Sequence, residues 1–263
     1  MGSATREALA RSASALAGLG SKADLATAED LFAAGRVVAD SAQLRAVLSD
    51  PSADQAGKAA LVRRVFASQS APAVELLTVV ASDRWSTQDD VLAAIEELGI
   101  RAIAASTPTG VDLVAELLAF GGAVTSDAQL ELALRSKLAA PEAKSALVER
   151  LLDGKASSGT IAIVRQLVLQ PRGRSIREAL REATRIVAAQ HGQTIATVVT
   201  AKPLRTDQAQ RLRATLAAAY GDLKVTEVVD PTILGGLRVQ VGDDVIDGSV
   251  SSRLNELRLQ LAG

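Results

Sequence analysis

"LFAAGRVVADSAQLRAVLSDPSADQAGKAALVRRVF", residues 31–66, recurs 86 residues later as "LLAFGGAVTSDAQLELALRSKLAAPEAKSALVERLL", residues 117–152. Aligned without a gap, the two stretches share 14 identities in 36 positions, well above chance even in so alanine-rich a text. Gln43-Leu44 returns as Gln129-Leu130, and Lys58 with Leu61-Val62 returns as Lys144 with Leu147-Val148. A fixed internal period sets the architecture before any single element does. Two copies at this spacing are too few and too long for an ordinary solenoid array, so the chain carries a duplicated helical module. After residue 152 the copies drift, and "SDRWST" at Ser82 answers "QPRGRS" at Gln170 only with a short insertion.

Working outward, apolar residues at helical spacing predict amphipathic helices over 29–39, 43–48, 57–67, 73–82 and 88–104, broken by "SDPSAD" and "SQSAP". Gln88–Ala104 is placed to close one bundle and open the next. Upstream, Leu9, Ala13, Leu16 and Gly20 give a first helix over Ala4–Leu19, although its Ala, Ser and Arg content also resembles that of a transit peptide. The second copy ends in a helix over Ser175–Gln190 with the stripe Ile176, Leu180, Ala183 and Val187. Its Arg174, Arg177, Arg181 and Arg185, interleaved with Glu178 and Glu182, read as a solvated face laced with ion pairs rather than an anion-binding ridge.

From Gln193 the period becomes that of strands. "TIATVVTAKPL" and "LKVTEVV" flank a helix over Thr206–Tyr220; Leu237, Val239 and Val241 then alternate with Arg238 and Gln240, and Val245-Ile246 returns after the Gly242-Asp243-Asp244 turn. Asp247-Gly248-Ser249 closes the sheet, with Ser249 placed to cap a last helix whose Val250, Leu254, Leu257 and Leu261 form one stripe. The fold class is therefore α+β: two related all-α modules, residues 1–105 and 108–192, followed by a small α/β domain, residues 193–263.

Gly235-Gly236 invites comparison with a phosphate loop. Such a loop follows a strand, opens a helix and carries Lys and Ser/Thr, whereas this pair leads into a strand. Glycines here fit a bulge or a backbone contact too close for a Cβ. "GLGSKA" at Gly18 follows a helix and is a poor dinucleotide site. His191 is the single histidine and there is no cysteine, so no histidine cluster or thiolate nucleophile is available. His191 reads as a helix end beside Gly192, and Asp230, Asp243, Asp244 and Asp247 as turn and strand-end residues rather than a carboxylate metal site. No catalytic, cofactor or metal residues are expected. A formal net charge of -1 and five aromatics argue against a nucleic-acid partner. No apolar run spans a bilayer, which leaves membrane contact to partners.

A helical bundle followed by "VVTAKPL" and then "VVDPTILGGLRVQVGDDVIDGSVSSRLNELRLQL" resembles the delta subunit family of bacterial F-type ATP synthases, related to the mitochondrial oligomycin-sensitivity-conferring protein. The closing pattern is a hydrophobic residue, two glycines, an alternating strand, Gly-Asp, Asp-Gly-Ser and an amphipathic helix. It is met by Ile233, Gly235, Gly236, Gly242, Asp243, Asp247, Gly248, Ser249 and Leu254. The resemblance is strong over 194–261 and looser over the helices. It implies a non-catalytic, cofactor-free peripheral-stalk subunit at the cytoplasmic face of the bacterial cell membrane. Its helical part grips the N-terminal helices of the head α subunits, and its C-terminal part holds the C-terminal region of the stalk b subunits. Leu9 and Leu16 on the first helix, and Leu257 and Leu261 on the last, are the candidate partner contacts. Two departures stand out: the family commonly has one helical module, and its first helix usually carries an aromatic where this chain has Ser12. The first copy, completed by Ala4–Leu19, is expected to meet the head. A general helical adaptor and a small nucleotide-binding enzyme are the alternative readings.

Overall fold

A computed structural model describes residues 2–136, 139–221, 223–229, 235–241 and 244–250. Short polar side chains start most of its helices. α1 (Ser3–Leu19) runs into a single 3-10 turn, Gly20–Lys22. α2 (Leu25–Asp40) begins where Asp24 accepts the Thr27 N–H at 2.8 Å. Ser41 starts α3 (Ala42–Ser49) and Asp54 starts α4 (Gln55–Val65) in the same way, accepting the N–H groups of Leu44 and Gly57. α5 (Ala71–Ser82) has proline in its first turn, and α6 (Gln88–Ser106) opens in a reciprocal capping box of Thr87 and Asp90.

α7 (Leu113–Ser126), α8 (Ala128–Arg135), α9 (Pro141–Leu152), α10 (Ser158–Leu169) and α11 (Ile176–Gln190) then repeat α2 to α6, helix for helix. The repeat is visible in the core: Leu31 and Leu117, Val38 and Val124, Leu48 and Leu134, and Val62 and Val148 are buried in pairs 86 residues apart. It is visible in polar contacts too. Asp30 accepts the Ser70 N–H at 2.7 Å at the start of α5, and Glu116, its equivalent, accepts the Ser157 N–H at 2.9 Å at the start of α10. Thr87 and its counterpart Ser175 stand 88 residues apart, so the short insertion read from the sequence is two residues, lying between the third and fifth helices of the module.

Helices α1 to α11 belong to one compact unit, residues 1–190. The division expected between 105 and 108 falls at the end of α6, which packs against α1, α2, α3 and α5 of the first copy and α10 and α11 of the second. α6 is accordingly buried almost all round, from Val91 through Ile95 and Leu98 to Ile103. Gly99 makes room for the Phe32 ring of α2; a Cβ there would lie 2.3 Å from its Cε1.

The second unit, residues 191–263, opens at Gly192, whose φ of 68° turns the chain out of α11. β1 (Thr194–Thr200), α12 (Thr206–Tyr220), β2 (Leu223–Val229), β3 (Leu237–Val241) and β4 (Asp244–Asp247) give a sheet in the order β2-β1-β3-β4. β1 and β2 are parallel, as the α12 crossover allows, and the remaining pairs are antiparallel. Ala196, Val198, Val239 and Val241 share one face of the sheet and bury it against Leu216 of α12.

Candidate functional site

The glycine motif forms a backbone clamp at the end of β3 and β4. Gly235 and Gly236 have φ of 152° and 80°, and the chain beside them continues the antiparallel ladder: Gly248 N–H donates to the Leu237 carbonyl at 2.9 Å, and Val250 N–H to the Gly235 carbonyl at 3.0 Å. A Cβ on Gly236 would stand 2.4 Å from the Gly248 carbonyl oxygen and 2.9 Å from Ser249 Cα. Both reasons for glycine therefore apply, the left-handed backbone and the close approach, and neither involves an anion. Asp247 fastens the clamp. Its Oδ1 accepts the Ser249 N–H at 2.9 Å, and its Oδ2 pairs with Arg238, its partner in the ladder, at 2.9 Å. The Ser249 hydroxyl and N–H, with help from Arg238, hold its carboxyl below the usual carboxylate range. Ser249 itself is buried and Val250 is helical. Gly242, Asp243, Leu254, Leu257 and Leu261, with Asp230 and Ile233, lie outside the described residues.

On the helical unit the candidate contacts separate. Leu9 is half-buried, whereas Leu16 is 2 % exposed and belongs to the core. The buried stripe of α1 is Thr5, Ala8, Ser12 and Leu16, because Thr5 and Ser12 turn inward. Thr5 donates to Asp90 at 2.8 Å and accepts the Ser86 N–H at 3.1 Å, so its hydroxyl is satisfied inside. Ser12, where the family resemblance would place an aromatic, is a fully buried position. Arg11 ties α1 to the end of α5 through Asp83 at 2.7 Å; burial nonetheless keeps the Asp83 carboxyl above its ordinary range, and its Oδ2 is buried with no hydrogen-bond partner among the described residues.

The arginines expected as a solvated face of α11 reach further than its own turns. Arg185 does pair with Glu182 three residues away. Arg174 and Arg172, just before the helix, both grip Glu96 of α6, at 2.9 and 2.8 Å, and Arg177 reaches Glu131 of α8. Glu96 is 3 % exposed, so its two pairs are structural links between the copies that local spacing could not reveal. His191 is exposed beyond the end of α11. Among the described residues no cluster of three or more His, Cys, Asp or Glu is arranged to hold a metal ion, and no helix is long and apolar enough to cross a membrane.

Comparison with known proteins gives the motif its context. The family described as ATP synthase delta (OSCP) subunit matches residues 100–261, from within α6 through the second copy and the α/β unit. The chain is 80 % identical to the ATP synthase subunit delta of Leifsonia xyli subsp. xyli over 263 residues, all of both chains. It is 40 % identical to that of Streptomyces avermitilis over 240 residues, 89 % of this chain and 88 % of the relative. Alignments of that length reach well into the first copy, so the added module is shared with these relatives. A chain in the Toxoplasma gondii mitochondrial ATP synthase hexamer is similar at 18 % identity and a TM-score of 0.42, over 64 % of this chain and 96 % of that one. With its clamp of Gly235, Gly236, Asp247, Gly248 and Ser249 inside the matched region, the chain belongs to the ATP synthase delta (OSCP) subunit family.

Proposed function

We propose that this chain, a non-catalytic subunit of an F-type ATP synthase, joins the catalytic head to the peripheral stalk and resists the torque that would otherwise turn the head with the rotor. The observation that carries this is the family match over 100–261. The helical unit receives N-terminal helices of the α subunits. The α/β unit, with the apolar stripe expected from the sequence after Ser249, holds the C-terminal region of the b subunits. An edge strand that leaves Val245 and Ile246 exposed, beside the backbone clamp at Gly236 and Gly248, suits that second contact. The chain then lies at the cytoplasmic face of the cell membrane and meets the bilayer through its complex.

The test is removal of the chain from cells that make it. Washed membranes are expected to lose proton-driven ATP synthesis, while ATP hydrolysis by the head moves into the soluble fraction. Membranes that kept both coupled synthesis and a bound head would overturn the reading.

A further inference from the structure

α1 is lightly held for its length. Of its 17 residues it buries Thr5, Ala8, Ser12 and Leu16, so one large apolar side chain anchors a helix that packs on α5 and α6. Elements with few buried apolar contacts are the ones that open locally. Two polar ties add to the anchor: Thr5 with Asp90 and the Ser86 N–H, and Arg11 with Asp83. The second tie is badly built for a charge. Asp83 caps the C-terminal end of α5, where the helix dipole disfavours an anion. Arg11 reaches only Oδ1, through Nε at 2.7 Å, from a side chain 56 % exposed and so well screened. Oδ2 is buried with no hydrogen-bond partner among the described residues. The second copy resolves the same helix end differently. Gln170, at the end of α10, is neutral and satisfied on both sides, accepting from Gln166 and donating to the Gly35 carbonyl.

We propose that Asp83 is a proton-operated clasp: uptake of a proton by its carboxyl tightens the seat of α1 on α5, and release of the proton loosens it. The proton comes from solvent and settles on the oxygen that Arg11 leaves unpaired, while Oδ1 keeps the Arg11 hydrogen bond. A neutral unpaired group costs far less to bury than an unpaired charge. The other charged groups on the cavity of about 550 Å³ beside Asp83 are Glu7 of α1 and Arg84 after α5. α4 presents the neutral Gln55, whose amide donates to the Ser82 carbonyl at 3.2 Å, and Asp90 of α6 is taken up by Thr5 and the Thr87 N–H. Burial raises the Asp83 carboxyl, and the hydrogen bond and charge of Arg11 oppose this without cancelling it. The seated state therefore holds the proton more tightly than the opened one, in which a hydrated Asp titrates near about 3.9. The seat gains stability as pH falls through the raised value, and the gain is complete below about 3.9. Glu116 and Glu182, whose carboxyls are lowered, act in the opposite sense on the helical unit, so the effect has to be read against a reference that differs only at position 83.

The reference is Asp83→Asn in the full-length chain, which keeps the shape of the side chain and takes up no proton. Hydrogen exchange gives the opening constant of α1 in both proteins, corrected for the intrinsic pH dependence of exchange and read in openings that expose α1 while α6 stays protected. The ratio of parent to variant is expected to fall at least about 3-fold between pH 7.5 and pH 4.5, the equivalent of about half a pKa unit. A ratio that stays level or rises on acidification overturns the clasp. Openings of α1 that coincide with those of α6 in both proteins overturn it as well, since α1 then has no motion of its own. The carboxyl carbon shift of Asp83 in the parent chain supplies a second measurement that does not depend on the variant folding. Its midpoint is expected above about 3.9, and higher still in Arg11→Met, which removes the opposing charge. A midpoint at or below about 3.9 in the parent overturns the proposal whatever the exchange data show.

Discussion

At the scale of single residues, the structure turns on groups whose backbone or charge leaves no alternative. Gly236 is one. Alanine there must hold a φ of 80° and push a Cβ into the Gly248 carbonyl, so Gly236→Ala is expected to cost at least about 2 kcal/mol. Hydrogen exchange should show the loss in β3 and β4 with the helices unaffected; unchanged protection of β3 would refute it. Glu116 is another. Burial disfavours its charge, yet hydrogen bonds from Thr160 and from the Ser157 hydroxyl and N–H outweigh burial and lower its pKa. A carboxyl depressed in the folded state adds stability above its unfolded pKa, near about 4.3, and loses it as pH falls through the lower folded value. Glu116→Gln does not titrate, so it should be less stable than the parent at pH 7 and should lose less on acidification towards pH 3. Parallel melting curves against pH for the two proteins would contradict this.

At the scale of elements, much of the design is legible in the letters, and the exceptions share a cause. The 86-residue register, the helical periods from residue 29 to 104 and the glycine entry to β3 are local signals, and each leads to the element found. Thr5 and Ser12 mislead, because a stripe read from apolar residues alone gives Leu9 and Ala13 the inward side that the satisfied Thr5 hydroxyl shares with Ala8. The burial of α6 on nearly every side, and its Glu96 link to Arg172 and Arg174, also escape periodicity. They depend on contacts 76 and 78 residues apart, for which the chain carries no local mark. That link yields an expectation of its own. Glu96→Ala leaves two partly buried guanidinium groups without their acceptor and is expected to cost about 3 kcal/mol or more, read as a lower denaturation midpoint of the helical unit. A loss under about 0.5 kcal/mol would mean that the link is no stronger than a surface pair.

At the scale of the whole molecule, the duplication makes one body from two copies, and the body should not divide where the repeat does. Residues 1–105 keep α6 but strip its second-copy side, and residues 108–192 lack α6 and bare the faces of α10 and α11 that rest on it. Each fragment is expected to aggregate or to melt without a cooperative transition, while residues 1–190 unfold in one step; cooperative melting of the shorter fragments would show that the copies are autonomous. Fragments separated at residue 190 should each keep their fold, because the boundary lies between the two compact units. The shared helix also fixes the arithmetic of descent. A bundle built of α1 to α6 has six helices, yet the period carries five, so one helix serves as the last of one bundle and the first of the next. Such a lineage lengthens in steps of five helices, each new step borrowing its first from the step before, and it cannot lose the earlier step cleanly without leaving α6 behind for the later one.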